Sequence, residues 1–567
     1  MKTVGMDAAL SGYEAGVGTL LGELEDAGFS ARLWRKDPTL WKTEPEHGEI
    51  ILNSMGWLDS PGKISAELQS LVDFSAELKK AGIRHVVHMG MGGSSLAPLV
   101  FKKTFTAEGL SVTVLDSTDP ATILALERSL RLEETLFIEA SKSGSTIESR
   151  SFGEYFYAKV LSLKGKAAGE NFAVITDPGS MLAKLAEERS YRKIFLNYPD
   201  IGGRYSALSY FGLVPAGLMG IDLNELLARA RTLAEQCGAA TPASRNPGAV
   251  LGAIMGSLAL KGRNKLTFLM PDQIASFGMW LEQLIAESTG KDGAGIVPVA
   301  GEPPCEPEIY SDDRLFVEFK IVNERDPELE AHAQSLRAAG QPVVTILMRD
   351  RLDLGAQFLL WEIATAPAGV ALKINPFDQP NVQATKQFTA TILDEVRKEG
   401  RVPEAPMEMA DGPLRLYAAG GASTVRQAVQ LFFEQADSSD YLVLLAYLTE
   451  NEGAEHGLQS IRSLVRERLH IATTIGYGPR YLHSTGQLHK GGPNSGLFVI
   501  LTSESGEDAL IPDQPYSFGM LMRAQALGDF EALRKHRRRV IRVHLAGEVP
   551  GSLAAFEEVI RVAVRPV

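Results

Sequence analysis

Short hydrophobic runs alternate with stretches of helical spacing from about residue 83 almost to the end of the chain. This alternation predicts βα units, in which buried parallel strands are covered by helices on both faces. The predicted strands fall into three successive groups. The first is His85–Met89, Leu110–Leu115, Thr135–Ala140, Asn171–Thr176 and Lys193–Leu196; the second is Lys265–Met270, Leu315–Val322, Pro342–Met348 and Gly369–Ile374; the third is Tyr441–Tyr447, Ile471–Ile475, Gly496–Thr502 and Arg539–Leu545. We therefore predict an α/β fold with three sheets.

The first seventy residues have a different pattern, because they combine helix-like apolar spacing in Tyr13–Ala27 with three tryptophans and no clear strand. They predict a helical N-terminal arm. A polar, proline-rich stretch, Arg401–Pro406 followed by Asp411–Pro413, indicates a linker. The predicted division is a helical arm at 1–70, three-layer α-β-α domains with parallel sheets at 71–235 and 236–402, and an extra α/β domain at 403–567.

Composition narrows the possible partners. The 57 basic and 70 acidic side chains leave a net charge of −13, which disfavours binding to nucleic acid or to an anionic membrane surface. No apolar run approaches the ~18–20 residues of a membrane helix, and the N-terminus shows no secretory signal. Only Cys237 and Cys305 are present, too few for a disulfide framework. We expect a cytoplasmic protein with neither a nucleic-acid nor a membrane partner.

Two turns at predicted strand ends have the composition of a phosphate site. Met89–Ser95 is rich in glycine, and four of the six residues in Ser141–Thr146 carry hydroxyl groups. Ligands of open parallel sheets bind at the carboxyl ends of strands, where free helix N–H groups can hold a phosphate. The glycine turn alone fits a plain βα turn equally well. The hydroxyl turn favours a phosphate over a simple helix cap.

Gln283 and Glu287 stand four residues apart, so on a helix they share one face beside apolar neighbours. A shielded carboxylate has a raised pKa and can act as a general base, which makes Glu287 a candidate. The alternative is an exposed Glu287 paired with Lys291. Arg204 follows two glycines that would let its guanidinium point inward, although this motif alone fits a solvated surface turn better.

Two other motifs are less specific. Lys386 follows the proline-rich turn Asn375–Pro380, and a lone lysine on a helix is usually a solvated charge. His483 and His489 lie six residues apart among glycines, and no third ligand is near them, so we predict no metal site.

In their order and spacing these motifs resemble the glucose-6-phosphate isomerase family over roughly residues 45–395. The resemblance implies two sugar-isomerase (SIS) domains and the interconversion of glucose 6-phosphate and fructose 6-phosphate without metal or organic cofactor. The arm and the tail resemble the isomerase half of transaldolase–isomerase fusions. The family is commonly dimeric, so a homodimer is one expectation; in the other, the C-terminal domain covers the surface that a partner would use.

The resemblance also implies roles for individual residues. Glu287 would move a proton between C1 and C2 through a cis-enediol(ate), and Arg204 would stabilise the negative charge of that intermediate. Gln283 would line the pocket, and Lys386 would assist ring opening at O5. The substrate phosphate would be held by the two turns, through Gly93, Ser94, Ser141, Ser143, Ser145 and Thr146.

One departure concerns the ring-opening histidine, which the family places about twenty residues after the base. Val299–Arg314 contains no histidine, whereas a similar string, Leu482–Gln487, occurs almost two hundred residues later. We therefore expect His483 to open the ring, from its own chain or from a neighbouring subunit. The alternative is that His483 and His489 cap a glycine-rich turn.

Two further functions stay open at this stage. One is a dual phosphoglucose/phosphomannose isomerase, since one base can serve both epimers. The other is a SIS-type sensor that binds a phosphosugar without converting it. A sensor needs the hydroxyl turn but not Glu287, Arg204 and Lys386 together.

Overall fold

Three sheets, each covered by helices, organise the computed structural model of the chain, which describes residues 1–106, 108–403, 407–417, 421–504 and 506–565. We call the units built on these sheets the first, second and third domains. The N-terminal arm precedes them. It comprises β1 (Lys2–Thr3), β2 (Met6–Ala9), α1 (Glu14–Asp26), α2 (Phe29–Trp34), α3 (Pro45–Leu52), α4 (Ser60–Lys63) and α5 (Leu68–Lys80).

The first domain has a five-stranded parallel sheet in the order β4-β3-β5-β6-β7. Its elements are β3 (His85–Met89), α6 (Leu96–Thr104), β4 (Ser111–Leu115), α7 (Pro120–Ser129), β5 (Thr135–Ala140), α8 (Ile147–Lys164), β6 (Phe172–Thr176), α9 (Met181–Glu188), β7 (Lys193–Leu196) and α10 (Tyr210–Leu218). Every residue of β5 and β6 is buried, as expected for strands covered on both faces. Because β3 and β5 pair in parallel, with Met89 opposite Glu139, the glycine turn and the hydroxyl turn emerge side by side.

The second domain contains α11 (Leu223–Gln236), α12 (Pro247–Leu260), β8 (Lys265–Leu269), α13 (Phe277–Thr289), β9 (Val297–Val299), β10 (Arg314–Ile321), α14 (Pro327–Ala338), β11 (Val343–Met348), α15 (Leu354–Leu372) and α16 (Val382–Glu399). Its sheet has the order β1-β2-β11-β10-β8-β9, in which β8 to β11 are parallel and β2 runs antiparallel to β11. The arm is therefore helical apart from β1 and β2. These two strands were missed because six residues at a chain end give too short a pattern.

The predicted strand at Gly369–Ile374 is wrong, since residues 369–372 are the end of α15. This helix is buried on almost all sides, so its apolar residues show no helical periodicity. The same run of apolar residues then also fits the pattern of a buried strand. Periodicity alone cannot distinguish a buried helix from a buried strand here, and the packing of the neighbouring elements decides between them. The short strand β9 was missed.

The third domain contains β12 (Met409–Asp411), β13 (Leu414–Tyr417), α17 (Val425–Phe433), β14 (Tyr441–Tyr447), α18 (Glu452–Leu469), β15 (Ala472–Tyr477), α19 (Gly486–Gly491), β16 (Gly496–Ser503), α20 (Phe518–Lys535), β17 (Arg539–Leu545) and α21 (Val549–Ala563). Its sheet has the order β12-β13-β17-β16-β14-β15. The predicted linker at Asp411–Pro413 is instead the turn of the β12–β13 hairpin. Of the predicted linker Arg401–Pro406, residues 404–406 lie outside the described residues.

The third domain shares apolar cores with both other domains. Phe152 and Tyr155 of α8 pack against Phe518 of α20, with ring centroids 5.8 and 5.6 Å apart. On the other side, β9 joins an apolar cluster with residues of β14 and α19. This packing places residues 478–495, which connect β15 to β16 and contain His483, between the first and second domains. In the described ranges, none of the helices combines the length and apolar character that a membrane crossing requires.

Candidate active site

The hydroxyl turn lies between β5 and the start of α8. Ser141 is buried, and its Oγ accepts a hydrogen bond from Gly144 N at 3.1 Å and lies 3.0 Å from Thr146 Oγ1. The hydroxyls of Ser143 and Ser145 lie 2.8 Å apart and are exposed. Since α8 begins directly after Thr146, its free N–H groups and positive helix end point toward this turn. The turn has the donors that a phosphate requires.

The glycine turn after β3 is the point where three segments meet. Gly92 has φ of 55°, and a Cβ added there would lie 2.4 Å from the carbonyl oxygen of His483. A Cβ on Gly93 would lie 2.2 Å from Gly203 O, in the turn that precedes Arg204. The glycines are therefore needed for close approach to the arginine turn and to the histidine segment. Ser94 follows them and is partly exposed.

Arg204 is buried, which contradicts the reading as a solvated surface turn. Its guanidinium lies 3.6 Å from Glu287, measured from Nη1 to Oε2. The ring of Tyr205 stacks on Trp57 of the arm at 5.2 Å and supports the turn. The guanidinium donates to Ser288 Oγ at 2.8 Å, Gln379 Oε1 at 2.8 Å, Pro376 O at 2.6 Å and Asp378 O at 3.0 Å. Its position is thus set by groups from two separate segments.

Glu287 lies in the last turn of α13 and is buried. Burial raises the pKa of its carboxyl above the ordinary value, and the nearby positive charge of Arg204 partly offsets this rise. Gln283, one turn earlier, has its Nε2 3.4 Å from Glu287 Oε2 and donates to His483 O at 2.7 Å. The predicted shared face of Gln283 and Glu287 is confirmed. Lys291 pairs with Asp378 at 2.8 Å, so the alternative of an exposed Glu287 held by Lys291 is wrong.

His483 of the same chain reaches this site. Its Nε2 lies 2.8 Å from Oε1 of Glu148, a buried residue in the first turn of α8. Gln525 of α20 donates to the same carboxylate oxygen at 2.6 Å. Burial alone would raise the pKa of Glu148, but the charge and hydrogen bond of His483 hold this pKa below the ordinary value. His489 is buried within α19, and burial holds its pKa well below the usual range.

Sequence reasoning missed Glu148 and Gln525. Glu148 follows the hydroxyl turn by two residues, and this proximity was the available signal. Gln525 lies in the middle of a helix, 377 residues from Glu148, and no local pattern marks it. Lys386 lies on α16 with an exposed side chain, and its positive charge acts to lower the pKa of both Glu148 and Glu287.

The chemistry of these groups is that of proton transfer beside a stabilised anion. A buried carboxylate, an adjacent buried guanidinium and a carboxylate-bound imidazole are brought together near the hydroxyl turn. Within the described parts of the chain, no group of three or more histidine, cysteine, aspartate or glutamate side chains is arranged to hold a metal ion.

Comparisons with known proteins give matches to one family. A family model described as phosphoglucose isomerase matches residues 68–295. The glucose-6-phosphate isomerase of Thermosynechococcus vestitus is 30% identical over 67% of this chain and 81% of its own length. The enzyme of the same name from Rubrobacter xylanophilus is 28% identical over 60% of this chain and 90% of its own.

Solved structures show the same fold. A hypothetical protein from Thermus thermophilus matches with a TM-score of 0.58 and 24% identity, over 68% of this chain and 99% of that one. A glucose-6-phosphate isomerase from Chlamydia trachomatis matches with a TM-score of 0.53 and 18% identity, over 70% of this chain and 90% of that one. At these identities the likeness concerns the fold.

Proposed function

The chain belongs to the phosphoglucose isomerase family, and on that premise we propose that it interconverts glucose 6-phosphate and fructose 6-phosphate. The observation that carries this proposal is the buried Glu287 with Arg204 Nη1 3.6 Å from its Oε2. An aldose–ketose isomerisation needs one base for the C1 and C2 protons and one positive group for the enediolate charge. These two side chains supply both.

The phosphate would bind at the hydroxyl turn through Ser141, Ser143, Ser145 and Thr146, with Ser94 at the adjoining glycine turn. Binding energy from this remote group would position the reacting carbons and would be used in the transition state. The first-turn N–H groups of α8 would add donors, and the positive end of that helix favours an anion.

Ring opening would fall to His483. It requires a proton at O5 and removal of one from the C1 hydroxyl, and an imidazole suits both transfers. Glu148 would orient the imidazole of His483 through its contact with Nε2, and Lys386 would add positive charge near O5 of the sugar. After opening, Glu287 would take the C2 proton and return it to C1, while Arg204 stabilises the intermediate.

The sensor alternative is less well supported, because binding alone does not require a base, a buried guanidinium and an oriented histidine together. A dual phosphoglucose/phosphomannose isomerase is a second candidate, since Glu287 could serve both epimers. The absence of a nucleic-acid partner remains a prediction from the acidic composition, and a cytoplasmic location remains a prediction from the low cysteine content. The boundaries of the domains also remain predictions.

Coupled assays with glucose 6-phosphate, mannose 6-phosphate and fructose 6-phosphate test the proposal. We expect turnover between the glucose and fructose esters. Additional turnover of mannose 6-phosphate would identify the dual enzyme. Tight binding of fructose 6-phosphate without turnover would contradict the proposal in favour of a sensor.

A further inference from the structure

We propose that the second and third domains are two copies of one structural unit, paired through reciprocal contacts, and that only one of the two equivalent contact regions carries chemistry. This inference rests on the proposed function. It gives the third domain a definite role: it stands where another copy of the second domain would stand and supplies His483 to the site.

The two sheets have the same topology. In the second domain the parallel strands have the order β11-β10-β8-β9, and in the third they have the order β17-β16-β14-β15. In chain order these are strands four, three, one and two in both cases. Each sheet is also extended at its fourth strand by an antiparallel hairpin, β1–β2 in the second domain and β12–β13 in the third. One helix follows the first strand in each, α13 and α18. The helices after the third and fourth strands also match, α14 with α20 and α15 with α21, whereas α19 has no counterpart among the described helices of the second domain.

The contacts between the two domains are reciprocal. Residues 478–495, which connect β15 to β16, lie against α13: Gln283 donates to His483 O at 2.7 Å, and Gln487 donates to Gly290 O at 2.9 Å. We call this the catalytic contact. Residues 300–313, which connect β9 to β10, lie against α18, the equivalent helix of the third domain.

There Arg462 donates to Gly301 O at 2.8 Å, and Arg466 donates to Pro303 O. We call this the opposite contact. In both contacts the connection after the second strand of one domain meets the helix after the first strand of the other. Self-complementary pairing of this kind is what a two-fold axis produces between identical subunits.

The two helices present different chemistry at the two contacts. Gln283 and Glu287 of α13 are four residues apart, as are Arg462 and Arg466 of α18, and members of both pairs reach the other domain. Burial would raise the pKa of Glu302 at the opposite contact, but the charges of Arg314, Arg462 and Arg466 hold this pKa below the ordinary value.

Glu302 is enclosed by ion pairs and hydrogen bonds. Its carboxylate accepts from Arg314 Nη1 and from Thr473 N, each at 2.9 Å. Residues 300–313 contain no histidine, and the hydroxyl turn of the first domain lies at the catalytic contact. The opposite contact is therefore a buried ionic junction that holds the two domains together, and the catalytic contact has the base and the histidine.

One chain thus carries every group that the proposed reaction uses, and a single chain is the catalytic unit. Co-expression of differently tagged Glu287→Gln and His483→Ala chains tests this, after each variant has been shown to be inactive alone. We expect the mixture to be no more active than the separate variants. If the histidine acted in a neighbouring subunit, random mixing into dimers would restore about a quarter of the sites, and that result would overturn the inference.

A second experiment tests the opposite contact. Arg462→Met should unfold at a lower urea concentration than the wild type, because the buried negative charge of Glu302 then has one positive neighbour fewer. The folded variant should keep its turnover. Unchanged stability, or loss of turnover in a protein as stable as the wild type, would overturn the assignment. If the wild type converts none of the phosphosugars, the proposed function fails instead; if either Glu287→Gln or His483→Ala keeps full activity alone, the role of that residue fails. In both cases the Arg462 variant still decides the role of the opposite contact.

Discussion

Replacement of Glu287 by glutamine tests the centre of the proposed mechanism with little change of shape. The amide keeps the size of the carboxylate but cannot accept a proton from carbon. Arg204 should stay in place, because its guanidinium donates to four other oxygens, on Ser288, Pro376, Asp378 and Gln379. Gln283, 3.4 Å away, can donate to the new amide oxygen as it does to the carboxylate.

The expected effect falls on kcat. Loss of a general base costs ~10²–10⁴-fold in rate, which corresponds to about 2.7–5.4 kcal/mol of barrier at ~1.36 kcal/mol per tenfold. Stability should also fall, because the buried Arg204 guanidinium loses its carboxylate neighbour at 3.6 Å, so rates are compared on protein shown to be folded. KM should change little, since the phosphate is held at the hydroxyl turn.

Glu282 offers a matched control on the same helix. Burial raises its pKa to about 8, although the nearby charge of Arg462 acts in the opposite direction, and its Oε1 accepts from Ala300 N at 3.3 Å. Glu282→Gln should therefore keep turnover. Coupled assays in both directions and exchange of the C2 proton with solvent measure the effect. A folded Glu287→Gln enzyme within about tenfold of wild type, or equal loss in Glu282→Gln, would refute the assignment.

Four further results are expected. Ser143→Ala combined with Thr146→Ala should raise KM for the phosphosugar and lower kcat, with weaker competition by sulfate; unchanged constants would move the phosphate site elsewhere. His483→Ala should lose turnover of cyclic glucose 6-phosphate but keep C2-proton exchange on a sugar phosphate that cannot close a ring, such as erythrose 4-phosphate; equal loss on both would contradict ring opening. Gln525→Leu should show the same selectivity more weakly, because Gln525 helps to hold the carboxylate that orients His483; no selectivity would remove it from this role. Glu287 must be unprotonated to act, and burial raises its pKa above 4.5, so kcat should fall on acidification at a pH above that value; a fall only below pH 4.5 would contradict the burial argument.

Local chemistry in the sequence was enough to predict most of the sheets and the main turns of the site. Strands buried on both faces are nearly continuous apolar runs, and three predicted strands of the first domain, such as Thr135–Ala140, match the structure to the residue. The hydroxyl turn and the Gln283–Glu287 face were predictable because each lies within a few consecutive residues. Helical spacing of residues, or a run of hydroxyl side chains, can be read from the sequence without knowing which residues lie close in space.

Tertiary structure decided the properties that depend on which surfaces meet. The end of α15 matches a strand pattern because its neighbours bury it on almost all sides, and β2 is a strand because β11 offers it a free edge. Gln525 and His483 meet Glu148 from 377 and 335 residues away. The elevated pKa of Glu287 arises from burial by several elements at once. Burial and charge at a point are sums over atoms close in space, and those atoms come from distant parts of the sequence, so no local pattern encodes them.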